Sequence, residues 1–159
     1  MISACETEDG VVFDMSELEA DALRSYADGL VADPKHPFVE LLRSQGLVVG
    51  DTPVPHLAVL LEAFSQATKV LTAWVIAPAG CRRATFFVGP HSAVVSRCDE
   101  GGLYAGEDDL LSVWAIDSAQ LRETFVELIA LGEPSGDGIV PPAVPEVLFE
   151  ALERGDATE

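Results

Sequence analysis

Three histidines (His36, His56 and His91) and three cysteines (Cys5, Cys81 and Cys98) are the side chains best able to hold a metal or attack a substrate. Each histidine lies beside a proline or in a turn. Cys81, His91 and Cys98 can be drawn as a metal site, but structural zinc takes its ligands in closely spaced pairs. Satisfied turn histidines and small apolar cysteines are the simpler reading. Nothing beside any cysteine marks it as an activated nucleophile. Asp99, Glu100, Glu107, Asp108 and Asp109 could hold a divalent cation between two loops, though not with EF-hand spacing. Solvated turn carboxylates explain them more simply, and acid–base work would need one of them buried. No phosphate-binding glycine loop and no nucleophile elbow is present. The sequence therefore offers no catalytic residue, no metal ligand and no cofactor, and the chain reads as a non-enzyme.

Charge narrows the partners. The 159 residues carry 27 acidic and 9 basic side chains, a net charge of −18. Such a field repels phosphate backbones and anionic membrane surfaces, which argues against nucleic acid and membrane partners. The helix–turn–helix and hairpin order over residues 37 to 88 invites a DNA-reading interpretation. Its bases, however, are only Arg43, Lys69, Arg82 and Arg83. Its second helix, Pro-His-Leu-Ala-Val-Leu-Leu-Glu-Ala-Phe, has almost nothing to read a base edge. An odd cysteine count fits a reducing compartment. The acidic N-terminal segment is unlike a signal peptide, and no apolar run is long enough to span a bilayer. A cytoplasmic location follows as the expectation.

The elements that would position any site centre on residues 69 to 132. Short β-branched and aromatic runs (Lys69–Ala77, Arg82–Val88, Ala93–Ser96 and Leu110–Ile116) alternate with Gly, Pro and Asp turns. That pattern predicts an antiparallel β-meander of about four to five strands packed with flanking helices, an α+β fold. Both alternate sets of Lys69–Ala77 are apolar, so this strand is expected to be central. Leu103-Tyr104-Ala105 adds a short apolar run within the stretch. Ser16 and Glu19 form a capping box for a helix with Leu18, Ala22, Tyr26 and Leu30 on its apolar face. Pro37 and Pro55 open two short helices, the second with Leu57, Leu60, Leu61 and Phe64 on one face. A helix from about Asp117 to Leu131, capped by Asp117, closes the meander. Residues 1–10 are expected to fray, 11–152 to form a single domain and 153–159 a polar tail. Residues 133 to 142 read as a linker, and Val144–Leu152 as a last short helix.

The order of these segments resembles the EspG family, the secretion-associated chaperones of actinobacterial type VII systems. Pro37-Phe38 through Arg43-Ser44-Gln45-Gly46-Leu47-Val48 is similar to its small helix and R-x-x-G-L step. Gly50-Asp51, Leu57–Phe64 and Val70–Ile76 are similar to the turn, helix and strand that follow. Arg82-Arg83-Ala84-Thr85-Phe86-Phe87-Val88-Gly89 with Ala93-Val94-Val95 resembles its hairpin. Phe13-Asp14-Met15-Ser16-Glu17-Leu18 with Ala22-Leu23, and Val140-Pro141 to Leu148, resemble its opening and closing elements. Family members are usually about twice this length and built of two similar halves, so this chain looks like a half-length relative. Two copies as a homodimer could imitate the full-length molecule.

The resemblance implies a chaperone or adaptor that binds the apolar tip of a helical, PE–PPE-like secretion substrate. Interface energetics are dominated by aromatics, which makes Trp74, Phe87, Tyr104 and Trp114 the candidate client-binding residues. Burial in the core is the competing role for each of the four. The alternative reading is an acidic immunity-type protein that inhibits a basic toxin through its Asp99–Asp109 loops.

Overall fold

The N-terminal segment, expected to fray, instead turns back and pairs with itself. In the computed structural model, which describes residues 1–7, 10–31, 33–77, 80–100 and 110–130, Ser3–Thr7 is strand β1 and Gly10–Met15 strand β2. Gly10 sits at φ 135°, a conformation that favours glycine, and the Thr7 hydroxyl donates to its carbonyl at 2.9 Å. Backbone pairing to β2 thus holds a segment whose composition alone gave no reason for order.

The capping box forms as its residues require. Ser16 Oγ accepts from Glu19 N at 3.3 Å while Ser16 N donates to Glu19 Oε2 at 2.9 Å, opening helix α1, Glu17–Ala27. Its buried face differs from the expected one. Leu23 is fully buried, whereas Leu18 and Leu30 are each 79% exposed. Spacings of four alone drift around a helix of 3.6 residues per turn, so Leu18 leaves the face that Leu23 defines. Helix α2, Pro37–Ser44, begins at His36, whose Nδ1 accepts from Phe38 N. The chain then forms a two-strand ribbon, β3 Val48–Val49 with β4 Thr52–Pro53, and helix α3, Pro55–Ser65. Leu57, Leu60 and Phe64 are buried on α3, as their spacing predicts.

Four consecutive antiparallel strands follow: β5 Lys69–Ala77, β6 Gly80–Val88, β7 Ser92–Glu100 and β8 Leu111–Asp117. The expected meander is present, and the N-terminal hairpin extends it to six strands in the order β1-β2-β8-β7-β6-β5. The fold is α+β, with more strands than the four to five expected. Among the described residues β5 is an edge strand, not the central strand expected. Apolar residues on both faces of a strand speak to what covers those faces, not to how many strands flank it in the sheet.

One face of the sheet carries Phe13, Met15, Val94, Cys98, Leu111 and Val113, which join Leu23, Leu42, Leu57, Leu60 and Phe64 of the helices in one buried core. On the opposite face Ala84, Phe86, Val88, Ala93 and Val95 are also buried. Both faces of the sheet are therefore apolar and buried at its centre.

Contacts divide the chain into two compact units, Met1–Ser118 and Ala119–Glu159. In the second, a single 3₁₀ turn ending at Gln120 leads into helix α4, Leu121–Ala130, with Phe125 and Leu128 buried. The helix starts later than expected because Asp117 is still paired with Ser92 as the last residue of β8. Asp99 and Glu100, expected in a turn, are the last residues of β7. The expected turn at 107–109, the 133–142 linker and the 144–152 helix lie outside the described residues. No helix among those described is long and apolar enough to cross a membrane.

Candidate functional site

Register places the candidate aromatics. Directly opposed residues in an antiparallel ladder share a face. Val70 opposes Phe87, which opposes Val94, and Trp74 opposes Arg83, which opposes Cys98. Val94 and Cys98 belong to the helix-side core, so Val70, Trp74 and Phe87 all lie on the helix-bearing face. Trp114 opposes Val95 and lies, half-buried, on the other face. Tyr104 lies outside the described residues. Two of the four candidates therefore share one surface, and Trp114 does not join them.

The helices of the first unit contact the sheet mainly through α3 on β6, β7 and β8. Cover gives out towards β5, where Val70 is 54% and Trp74 55% exposed, with Thr72 exposed between them. On β6 the adjoining Arg83, Thr85 and Phe87 are half-buried. The result is an exposed strip along β5, bordered by half-buried side chains of β6.

Its side chains are held in place. Phe87 meets Phe64 edge-on with ring centroids 5.3 Å apart, and the Arg24 guanidinium lies 5.0 Å from its ring. Arg83 lies 5.6 Å from the Trp74 ring and pairs with Glu17 of α1 at 2.9 Å. Cation–π contacts of this kind favour one orientation of an exposed ring by about 0.5–1 kcal/mol. Thr72 and Thr85 hydroxyls meet at 3.3 Å between the two. Trp74 is thus a presented side chain, while Phe87 is partly core.

Two small cavities are lined by described residues. A cavity of about 80 Å³ lies between α1 and the sheet, lined by Glu17, Arg24, Phe64, Arg83 and Phe87 among others. A second, of about 250 Å³, is bordered by Tyr26, Val39, Arg43 and Asp51. Both fall below the few hundred Å³ typical of ligand pockets. Arg43 there is committed to structure: it donates to Glu40, Asp51, Pro34 O and Gly50 O at 2.6–2.9 Å. Partial loss of solvent works against its charge, yet the Glu40 and Asp51 carboxylates raise its pKa. With Gly46 at φ 71° and Leu47 buried, the R-x-x-G-L step has a complete structural role.

Among the described residues no three His, Cys, Asp or Glu side chains converge as metal ligands. His91 and Cys98 are separated along β7 by about 23 Å at ordinary strand rise, and His91 is exposed while Cys98 is buried.

Alternation along Lys69–Ala77 already puts Val70 on one face with Trp74 and Ile76; Thr72, on the same face, and Glu17 are the companions of Trp74 that the sequence does not single out. Comparisons with protein-family models, curated proteins and solved structures return no match for this chain.

Proposed function

We propose that the chain is a protein-binding adaptor without turnover of its own. It holds a helical, PE–PPE-like substrate of a type VII secretion system in the cytoplasm. The observation that carries the binding role is the uncovered strip around Trp74. An exposed indole, fixed by Arg83 and bordered by Val70 and Phe87, is an anchor of the kind that dominates protein interfaces. The nature of the client rests on the resemblance of residues 11 to 152 to the EspG family.

Calorimetric titration with a purified helical-hairpin substrate of that class tests the reading. The parent protein binds it. Trp74→Asp weakens binding at least about tenfold, roughly the 1.4 kcal/mol expected of one anchor, with circular dichroism unchanged. No binding by the parent overturns the client assignment, and unfolding of the variant returns Trp74 to the core.

The net charge of −18 favours the second reading, an acidic inhibitor of a basic toxin. Salt separates the two. An apolar anchor keeps its affinity at high ionic strength, whereas a complex built on charge loses most of it.

A further inference from the structure

We infer that the β5 edge pairs with the β5 edge of a second copy of this chain, antiparallel and about a two-fold axis at Thr72.

The direction of the backbone groups comes first. Gly89 N donates to Ser92 O at 2.9 Å, in register with the Val88↔Ala93 pairing. Gly89–Ser92 is therefore a hydrogen-bonded pair, and alternation makes Phe87, Thr85 and Arg83 bond to β7. The intervening Val88, Phe86, Ala84 and Arg82 turn to β5, where they meet Lys69, Leu71, Ala73 and Val75. Val70, Thr72, Trp74 and Ile76 consequently direct their N–H and C=O groups out of the sheet. Among the described residues no strand pairs with that edge.

The side chains supply the symmetry. Among the β5 residues whose side chains are described, Val70 and Trp74 are the large exposed apolar ones, and they flank Thr72 at equal distance. A two-fold axis at Thr72 sets each Val70 opposite the partner's Trp74, and Thr72 opposite its own copy. Every one of these is a hydrogen-bonded position, so side-chain pairing and backbone pairing agree in one register. A β-branched residue facing an aromatic is a favourable cross-strand pair. The arrangement is closed, as isologous dimers are.

Self-complementarity of the strand chooses the occupant, and charge permits it. Two copies each carrying −18 repel over most of their surfaces, but β5 contains no acid in nine residues and one lysine at its end. Two chains of this kind can therefore approach along β5 without opposing carboxylates. An edge that is long, apolar and in unbroken register is an aggregation hazard unless it is closed. This pairing does not depend on the client reading. If both hold, it joins two uncovered strips into one floor.

The test is light scattering with analytical ultracentrifugation on the full chain, alongside Thr72→Pro. Proline at Thr72 deletes an outward N–H and leaves the β5–β6 ladder intact. The parent is expected at twice the chain mass, with self-association tightening as salt screens the acidic bodies. Thr72→Pro is expected to weaken it at least about tenfold. A second variant fixes the register. In a Cys5→Ser background, Thr72→Cys cross-links on oxidation because hydrogen-bonded pairs sit about 5.5 Å apart, within disulfide reach, while Ala73→Cys does not. A parent that stays monomeric overturns the inference. So does a dimer indifferent to Thr72→Pro, including one that pairs by another surface, and cross-linking at Ala73 instead of Thr72 overturns the register. A β5 edge that binds only a strand of another protein appears as a monomeric parent and counts against self-pairing.

Discussion

The two edges of the sheet are built on opposite plans. Strand β1 is five residues long, exposed throughout, and carries Glu6 beside the acidic pair Glu8 and Asp9 in the sequence. Short length and charge are the usual devices that stop an edge from recruiting another strand. Strand β5 is nine residues long, pairs with β6 without a bulge, and has Lys69 as its one charged residue. Its outward backbone positions are Val70, Thr72, Trp74 and Ile76. One edge is guarded and the other is prepared for a partner, in a chain acidic enough to guard both. The open edge with the least charge is therefore on the β5 side, where the helix layer also gives out, and it is there that the proposed pairing places its contact.

The largest effect expected from breaking this comparison comes from proline at adjacent β5 positions. Ala73→Pro removes an N–H that bonds to Ala84 in the ladder and costs about 3 kcal/mol in denaturant unfolding. Thr72→Pro, one residue away, costs about 1 kcal/mol or less, since its N–H points outward. Equal destabilisation by the two would contradict the derived direction of the backbone groups.

Next comes Gly89, where the end of α3 meets the turn that leads the chain away from β6. A Cβ there would lie 2.9 Å from Gln66 O and 3.2 Å from Ser92 O, both backbone atoms that cannot swing aside. Gly89→Ala is expected to destabilise by roughly 1–3 kcal/mol, as overpacking does. An unchanged melting temperature would show that the α3 end is not held against the sheet there.

Glu6→Val removes the guard from β1. It is expected to leave stability within about 0.5 kcal/mol, as exposed substitutions do, while raising the rate of aggregation at high protein concentration. Aggregation at the parent's rate would mean that the charge on β1 is not what protects it.

The smallest effect is on pH dependence, at the end of the sheet where β2 hands over to α1. Loss of solvent is the largest single influence on Glu19 and raises its pKa. Bonds from the chain's amino terminus and from the Ser16 amide and hydroxyl outweigh it, so the net shift is downward from 4.5. A carboxyl with a depressed folded pKa adds stability that is fully present above its unfolded value and is lost as pH falls through the folded one. The melting temperature should therefore fall more steeply below pH 4.5 in the parent than in Glu19→Gln. Parallel curves would remove Glu19 from the acid response.

Much of this architecture is legible in the residues. Capping at Ser16 and Glu19, proline starts at Pro37 and Pro55, the glycine stop at Gly46 and the four-strand meander all follow from local chemistry. What local chemistry cannot carry is which strand lies beside which. Lys69–Ala77 reads as central because both of its faces are apolar, and only the pairing order reveals an open side. β1 is missed for the converse reason: backbone hydrogen bonds to β2 hold it, and Ser-Ala-Cys-Glu-Thr has no apolar pattern to show this. For the candidate site, aromatic content picks out Trp74 and Phe87. It cannot separate them from Trp114, because assignment to a face needs the register across three strands.

The most direct measurement is residue-resolved hydrogen exchange by NMR on the amides of β5, at low and high protein concentration. Leu71, Ala73 and Val75 should be protected at both concentrations, because they bond to β6. Val70, Thr72 and Trp74 should exchange quickly when dilute and become protected as concentration rises. Rapid exchange of those three amides at every concentration would contradict the account and leave β5 an open edge like β1.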